Sequence, residues 1–410
     1  MMRAGVFAAV LVLSFPAGCS AGHSTSATIE VDAPDALVDQ TVHVRLSGLH
    51  AGETVTVRSL AKDYQGAAWH GEATFKADNA GVVDLARTAP VTGSYPGVDA
   101  MGLFWSMRPP TGDPDRAAYS PQSPWTAPVF DVQLSVTVDG RDIATRTVHR
   151  AWMSAGVTHR TLDMATDKAI GELFLPATGG TPHPGVLMFG GSEGGVAMTF
   201  AAALLASHGY PVLALGYFGV PGLPSTLRDI PLEYFVAAAH MLSAQPVVVE
   251  GYSRGSEAAL LLAQYYPGLV RGSILYAPND AVFGAFPGPG DAWTNGGVAI
   301  PHTVIPVTNV AGPVLAIAGD DDALWGSVPQ ARQIMHNLDV AHVAAAHQAL
   351  IYPGAGHLVG TFPYLPMGTT FVSRVTGATI SHGGTQAADE AARSDGWPRV
   401  LSWLATLTMR

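Results

Sequence analysis

Gly251-Tyr252-Ser253-Arg254-Gly255 has the form G-x-S-x-G and stands between an apolar run, Pro246 to Glu250, and a helix-like stretch, Ser256 to Tyr266. A serine at such a strand-to-helix turn is a candidate nucleophile. The bend strains its backbone, the flanking glycines leave room beside it, and the positive end of a helix lies under its hydroxyl. A hydroxyl attacks well only when a base takes its proton and a third group orients that base. On an α/β-hydrolase sheet the expected order is serine, acid, histidine. Gly319-Asp320-Asp321-Asp322 follows the apolar run Val314 to Ala318, and Tyr352-Pro353-Gly354-Ala355-Gly356-His357 closes the run from Ala349. Both partners therefore fall at strand ends, in that order. His357 is the expected general base, and a carboxylate fixes its tautomer and stabilises the imidazolium. Three adjacent aspartates repel one another, so one is expected to be buried while the others stay solvated. Counting from Gly319, Asp322 is the first choice and Asp321 the second.

A second G-x-S-x-G, Gly190-Gly191-Ser192-Glu193-Gly194, also follows a strand. What must surround a nucleophile separates the two. The fold takes one oxyanion-hole N–H from the residue after the nucleophile and another from a glycine-rich loop after an earlier strand. With Ser253 as nucleophile, the donors are Arg254 and Gly191. With Ser192 as nucleophile, too little chain precedes it to supply the second loop. Of the other histidines, His336, His342, His347 and His382 read as helix-surface or loop residues.

Two kinds of element must position these groups. Between Ala27 and about Arg150 the apolar residues recur at period two: Val42, Val44 and Leu46; Val55 and Val57; Val132, Leu134, Val136 and Val138. These are half-buried strands, and Asp139-Gly140 is a hairpin turn of the kind needing positive φ. Residues 27–150 are expected to form a small antiparallel, immunoglobulin-like β-sandwich that packs on the catalytic part and shapes its entrance. From about residue 151 to 410 short apolar strands alternate with helical stretches: Gly185 to Phe189, Met198 to Ser207, Tyr210 to Leu215, then the runs already named. Such alternation predicts a parallel sheet covered on both faces, with ligands at the carboxyl ends of its strands. The fold class is therefore α/β, an α/β-hydrolase domain preceded by a sandwich.

The 410 residues carry 21 basic and 32 acidic side chains, a formal charge of −11, and no block of Lys or Arg. That excludes the counterion-releasing surface nucleic acid requires. One cysteine excludes an internal disulfide and any multi-cysteine metal site, and the chemistry above needs neither metal nor cofactor. That cysteine, Cys19, ends an apolar run from Ala4 to Phe15 followed by Pro16-Ala17-Gly18. Residues 1–22 thus resemble a bacterial lipoprotein signal, in which the cysteine is lipidated and anchors an exported protein to a membrane. The alternative is an ordinary signal, or a cytoplasmic chain.

The elbow segment Gly251-Tyr-Ser-Arg-Gly-Ser-Glu257, the acid segment Asp321-Asp322-Ala-Leu-Trp325-Gly-Ser327 and Tyr352-Pro-Gly-Ala-Gly-His357 with Pro363-Tyr364 carry a wider resemblance. So do Leu232-Glu-Tyr-Phe235, Gly383-Gly384, Asp395-Gly-Trp397 and the N-terminal stretches Val42 to Leu49 and Gly97 to Trp105. From about residue 28 onward the chain resembles the acyl-CoA thioesterase and bile acid-CoA:amino acid N-acyltransferase family. The resemblance implies a β-sandwich before an α/β-hydrolase domain and places the acid on the second aspartate of the pair, Asp322. Acyl transfer to amino acids typically goes with cysteine at the elbow and hydrolysis with serine, so Ser253 implies an acyl-CoA thioesterase working through an acyl-serine. An exported esterase acting on other acyl esters, or an N-acyltransferase, is the alternative. Asp280 to Gly312, with Phe283, Phe286 and Trp293, is expected to cap an acyl pocket or to form a surface loop.

Overall fold

Alternation at period two yields strands in the N-terminal part. Along Thr54–Lys62 the inward positions Val55, Val57, Ser59 and Ala61 are buried while their neighbours face outward. This strand pairs with Val129–Val138 and Ala68–Lys76 in a six-stranded sheet, and Thr28–Val31, Val44–Ser47 and Val83–Asp84 make a second, three-stranded one. The inner residues of both sheets belong to a single apolar cluster. Val138 pairs with Arg141 across Asp139 and Gly140, whose φ values of 48° and 77° are those of a two-residue type I′ hairpin.

The computed structural model describes residues 27–242 and 246–407. The signal-like segment and Cys19 lie outside them. Beyond the sandwich an eight-stranded sheet forms from β1 (Thr158–Leu162), β2 (Ile170–Leu175), β3 (Val186–Phe189), β4 (Val212–Gly216), β5 (Val247–Tyr252), β6 (Val270–Tyr276), β7 (Val314–Gly319) and β8 (His347–Tyr352). Its spatial order is β1-β2-β4-β3-β5-β6-β7-β8. From β4 to β8 the strands run parallel, but β1 and β2 are antiparallel to their neighbours. The expected all-parallel sheet is thus mixed. Residues 163–169 between β1 and β2 are too few for a crossover, which needs a dozen or more, so this link is a hairpin.

Successive side chains of a strand face opposite sides, and the two cores divide accordingly. Val186, Met188, Ile274, Leu315 and Ile317 pack under the helices Thr199–Ser207 and Gln386–Ala405, in the same cluster as the sandwich interior. Leu187, Phe189, Val249, Leu275 and Ala316 pack under Leu232–Ala239, Arg254–Tyr265 and Ser327–Val340. The sandwich is pinned to the larger domain by Asp39, whose Oδ2 accepts from His208 Nε2 and Trp397 Nε1, both at 2.6 Å. Among the described residues no helix is long and apolar enough to cross a membrane.

Candidate active site

β5 ends at Tyr252 and the next helix begins at Arg254, leaving Ser253 alone in the turn with φ 54° and ψ −121°. A non-glycine residue there is strained and persists only where its surroundings over-determine it. Here Ser253 N donates to the Tyr276 carbonyl at 2.9 Å, and the Ser253 carbonyl accepts from Ser256 N at 2.9 Å and Ser256 Oγ at 2.6 Å. The elbow also presses on the loop after β3: a methyl at position 255 would overlap the Gly190 carbonyl.

At the mouth of the sheet the three residues expected from their order converge. His357 Nε2 lies 2.8 Å from Ser253 Oγ, and His357 Nδ1 lies 2.8 Å from Asp322 Oδ2. The ionised carboxylate can only accept, so Nδ1 carries the proton and Nε2 is left to accept from the serine hydroxyl. The side chains of His357 and Asp322 are 3% and 1% exposed, so little water competes for these bonds. Asp322 Oδ1 is saturated by the N–H groups of Leu324 at 2.9 Å and Trp325 at 3.2 Å, which fixes the carboxylate plane. Asp320 and Asp321 stay exposed and act locally, accepting from Gly354 N at 2.6 Å and Gly384 N at 3.1 Å. Ser192 lies on the loop after β3, and His357 faces Ser253 instead.

The His357 loop is held from three sides. Its N–H donates to the His382 carbonyl at 2.8 Å, its carbonyl accepts from Tyr252 Oη at 2.6 Å, and the preceding Gly356 N donates to Asp389 Oδ1 at 2.7 Å. Burial pushes the Asp389 carboxyl up to about 6. The His382 ring centres 6.0 Å from that of His357, and burial together with this neighbour lowers its pKa. Tyr252, His382 and Asp389 are absent from the expected site. The first reads as elbow filler, the second as a surface histidine, and the third lies on a helix 32 positions beyond His357. His336, His342 and His347 are not brought to the relay; His347 Nε2 pairs with Asp339 Oδ1 at 2.9 Å.

Of the two expected oxyanion donors, the Arg254 N–H opens the elbow helix, where first-turn N–H groups lack intrahelical partners. Gly191 approaches Ser253 so closely that a Cβ there would sit 2.6 Å from Ser253 Cβ and 3.1 Å from its Oγ. Its N–H, however, donates to both carboxylate oxygens of Glu193, at 2.9 and 3.0 Å. Gly191 therefore lies beside Ser253, with its N–H engaged by a side chain that pattern reading passes over.

The Arg254 side chain is engaged by the protein itself. Its Nη2 donates to the carbonyls of Phe283 at 2.9 Å and Gly284 at 2.8 Å, and its Nε pairs with Glu257 Oε1 at 2.8 Å. Glu257 Oε2 in turn accepts from Trp293 Nε1 at 2.9 Å. Trp293 is therefore fully buried structure and not part of an acyl pocket, correcting the expectation for that residue. Its bulk fills the core beneath the Asp280–Gly312 segment, on a strand, Trp293–Asn295, that pairs with Ile230–Pro231. Phe283 remains at the site, edge-on to Trp325 at 5.6 Å, and Trp325 is edge-on to His357 at 5.1 Å. Among the described residues no cluster of three or more His, Cys, Asp or Glu has the arrangement of a metal site.

Comparison with known proteins adds independent findings. Residues 39–164 match the family model described as acyl-CoA thioester hydrolase/BAAT N-terminal region, and residues 297–409 match BAAT/acyl-CoA thioester hydrolase C terminal. Mouse acyl-coenzyme A amino acid N-acyltransferase 1 is 30% identical over 401 residues, covering 89% of this chain and 94% of the relative. Mouse acyl-coenzyme A thioesterase 6 is 30% identical over 405 residues (89% and 93%), and the mouse peroxisomal succinyl-coenzyme A thioesterase 30% over 403 (88% and 92%). Among solved structures, a dienelactone hydrolase-like protein from Klebsiella pneumoniae covers 61% of this chain and 98% of its own, with TM-score 0.41 and 18% identity.

Proposed function

From the premise that this chain belongs to the acyl-CoA thioester hydrolase/BAAT family, we propose that it hydrolyses acyl-CoA thioesters through an acyl-serine on Ser253. The observation that carries the proposal is the unbroken hydrogen-bonded relay Ser253–His357–Asp322, drawn from three strand ends. His357 Nε2 takes the Ser253 proton as Oγ attacks the thioester carbonyl, and Asp322 stabilises the resulting imidazolium. The tetrahedral oxyanion needs donors such as the Arg254 and Gly191 N–H groups. Collapse breaks the C–S bond and expels coenzyme A thiolate, a good leaving group because a thiol has a pKa near 8.5. It leaves as the thiol with the proton from His357. His357 then takes a proton from water, whose oxygen attacks the ester carbonyl, and returns it to Ser253 Oγ as the carboxylic acid departs.

The relatives include enzymes named for thioester hydrolysis and others named for acyl transfer to amino acids. Serine at position 253 supports water as the acceptor here. A second reading has its own observation in the lipoprotein-like run that ends at Cys19. Outside the cytoplasm, where coenzyme A esters are not made, the same relay would cleave another acyl ester or thioester.

A panel offering each acyl chain both as a CoA thioester and as an oxygen ester, with and without amino acids, separates these readings. Free thiol release by the wild type, reduced roughly a thousandfold or more in Ser253→Ala, is the expected result. Brisk oxygen-ester cleavage with inert thioesters supports the exported esterase. N-acyl products in place of free acid support transfer, and full activity in Ser253→Ala removes the serine mechanism.

A further inference from the structure

An oxyanion donor serves catalysis only if it is aimed, at about 2.7–3.1 Å, at the place where negative charge develops. Here the N–H of Gly191, a residue whose α-carbon leaves no room for a methyl beside Ser253, already holds two negative oxygens, those of Glu193. The loop is shaped around that arrangement, since a methyl at Gly190 would overlap the Glu193 carboxylate. Tyr217 Oη donates to the carbonyls of both Gly190 and Gly191 at 2.9 Å, bracing the same turn from below. Glu193 is nevertheless an exposed residue although its carboxyl is turned in against the loop, so the side chain has a way out.

We propose that Glu193 is an internal occupant of the oxyanion site, standing in for the acyl oxygen in the free protein and yielding the Gly191 N–H when substrate docks at Ser253. The inference rests on the reading of Ser253 as the acylated nucleophile. The Gly191 N–H is already shared between both Glu193 oxygens, and a carboxylate beside a developing oxyanion repels it, so each acylation must first move Glu193 aside. The charged and titratable groups around it are His357, Arg374 on the segment between the strands Thr370–Val372 and Thr379–Ser381, Tyr217 and Tyr252. The crowding of protein around the carboxyl raises its pKa, while the N–H groups of Glu193 and Gly191, with His357 and Arg374 nearby, favour its ionised form. Glu193 thereby sets how readily the serine is acylated, without itself entering the bond changes.

The test measures the rate at which a fluorophosphonate probe labels Ser253, with kcat/KM for a thioester in parallel, in wild type, Glu193→Ala, Glu193→Gln and Ser253→Ala. Displacing a charge-assisted hydrogen bond is worth roughly a factor of ten, so Glu193→Ala should label about tenfold faster and gain a similar factor in kcat/KM. Glu193→Gln keeps the shape and an acceptor but loses the charge, and should fall between. Near-UV circular dichroism matching the wild type establishes that each variant is folded, and if Glu193→Ala is not, the Gln variant alone decides by labelling faster than wild type. Labelling of wild type at a rate unchanged or reduced in the folded variants overturns the internal occupant while leaving the nucleophile intact. Failure of every protein to label overturns the nucleophile and this inference with it.

Discussion

Tyr252 donates its phenol hydroxyl to the main-chain carbonyl of His357 at 2.6 Å. The residue before Ser253 therefore holds the loop that carries His357, across 105 positions of sequence. Burial, reinforced by the nearby Asp389 and Asp322, keeps the phenol protonated far above the ordinary tyrosine range, so it remains a donor at any assay pH. Tyr252→Phe leaves the carbonyl unpaired and loosens the base. Such a hydrogen bond is worth about 1 kcal/mol, so kcat should fall roughly 3- to 10-fold with KM little changed, as read in steady-state thioester hydrolysis.

Asp322 and Asp321 are adjacent in sequence and opposite in role. Asp322→Asn presents an amide to His357 Nδ1 and favours the wrong tautomer, so kcat should drop by roughly two to four orders of magnitude. Asp321→Asn alters the acceptor of the Gly384 N–H, away from His357, and should change kcat less than about threefold. Equal losses in both variants, measured side by side, would contradict the assignment.

Arg254 is a structural cation. Arg254→Met removes the ion pair to Glu257 and two hydrogen bonds to the Phe283 and Gly284 carbonyls, stranding a buried carboxylate whose pKa burial already raises. Breaking such a pair typically costs about 3–5 kcal/mol, which should lower Tm by on the order of ten degrees. The ratio of KM for a CoA thioester to KM for the oxygen ester of the same acyl chain should not move, because this guanidinium faces protein carbonyls and not coenzyme phosphates.

Glu250 sits in mid-strand on β5 with no exposure, and neither its oxygens nor the facing Tyr276 hydroxyl complete a well-formed hydrogen bond. Burial pushes its carboxyl up to about 8 from 4.5. The folded protein thus holds a proton that the unfolded chain releases, so stability declines as pH rises from about 4.5 to about 8 and then levels. Glu250→Gln removes this slope. Thermal unfolding should show little change at pH 4.5 and a Tm several degrees above wild type at pH 8. A milder slope in the same direction should remain in the variant, from Asp389 at about 6 and Glu390 at about 7.

What was legible in the sequence follows from how each signal is made. Ser253, Asp322 and His357 stand at the ends of apolar runs beside glycines, and strand ends are where a parallel sheet gathers chemistry, so order alone brought them together. The strand β6 was not legible, because Arg271, Gly272 and Ser273 interrupt its apolar run. Glu193 was hidden for a related reason: a carboxylate in a glycine turn reads as solvated, and only coordinates reveal which N–H it faces. His382 and Asp389 were obscured because their partners are backbone groups, which leave no trace in side-chain patterns.

Asp39 and Trp397 are 358 positions apart, yet share a hydrogen bond deep between the sandwich and the last helix. The acceptor is made 358 residues before its donor and waits for it. Until that helix arrives, Asp39 holds its bond to His208 Nε2 without the one to Trp397, so the seam between the sandwich and this helix closes only after residue 397 is made.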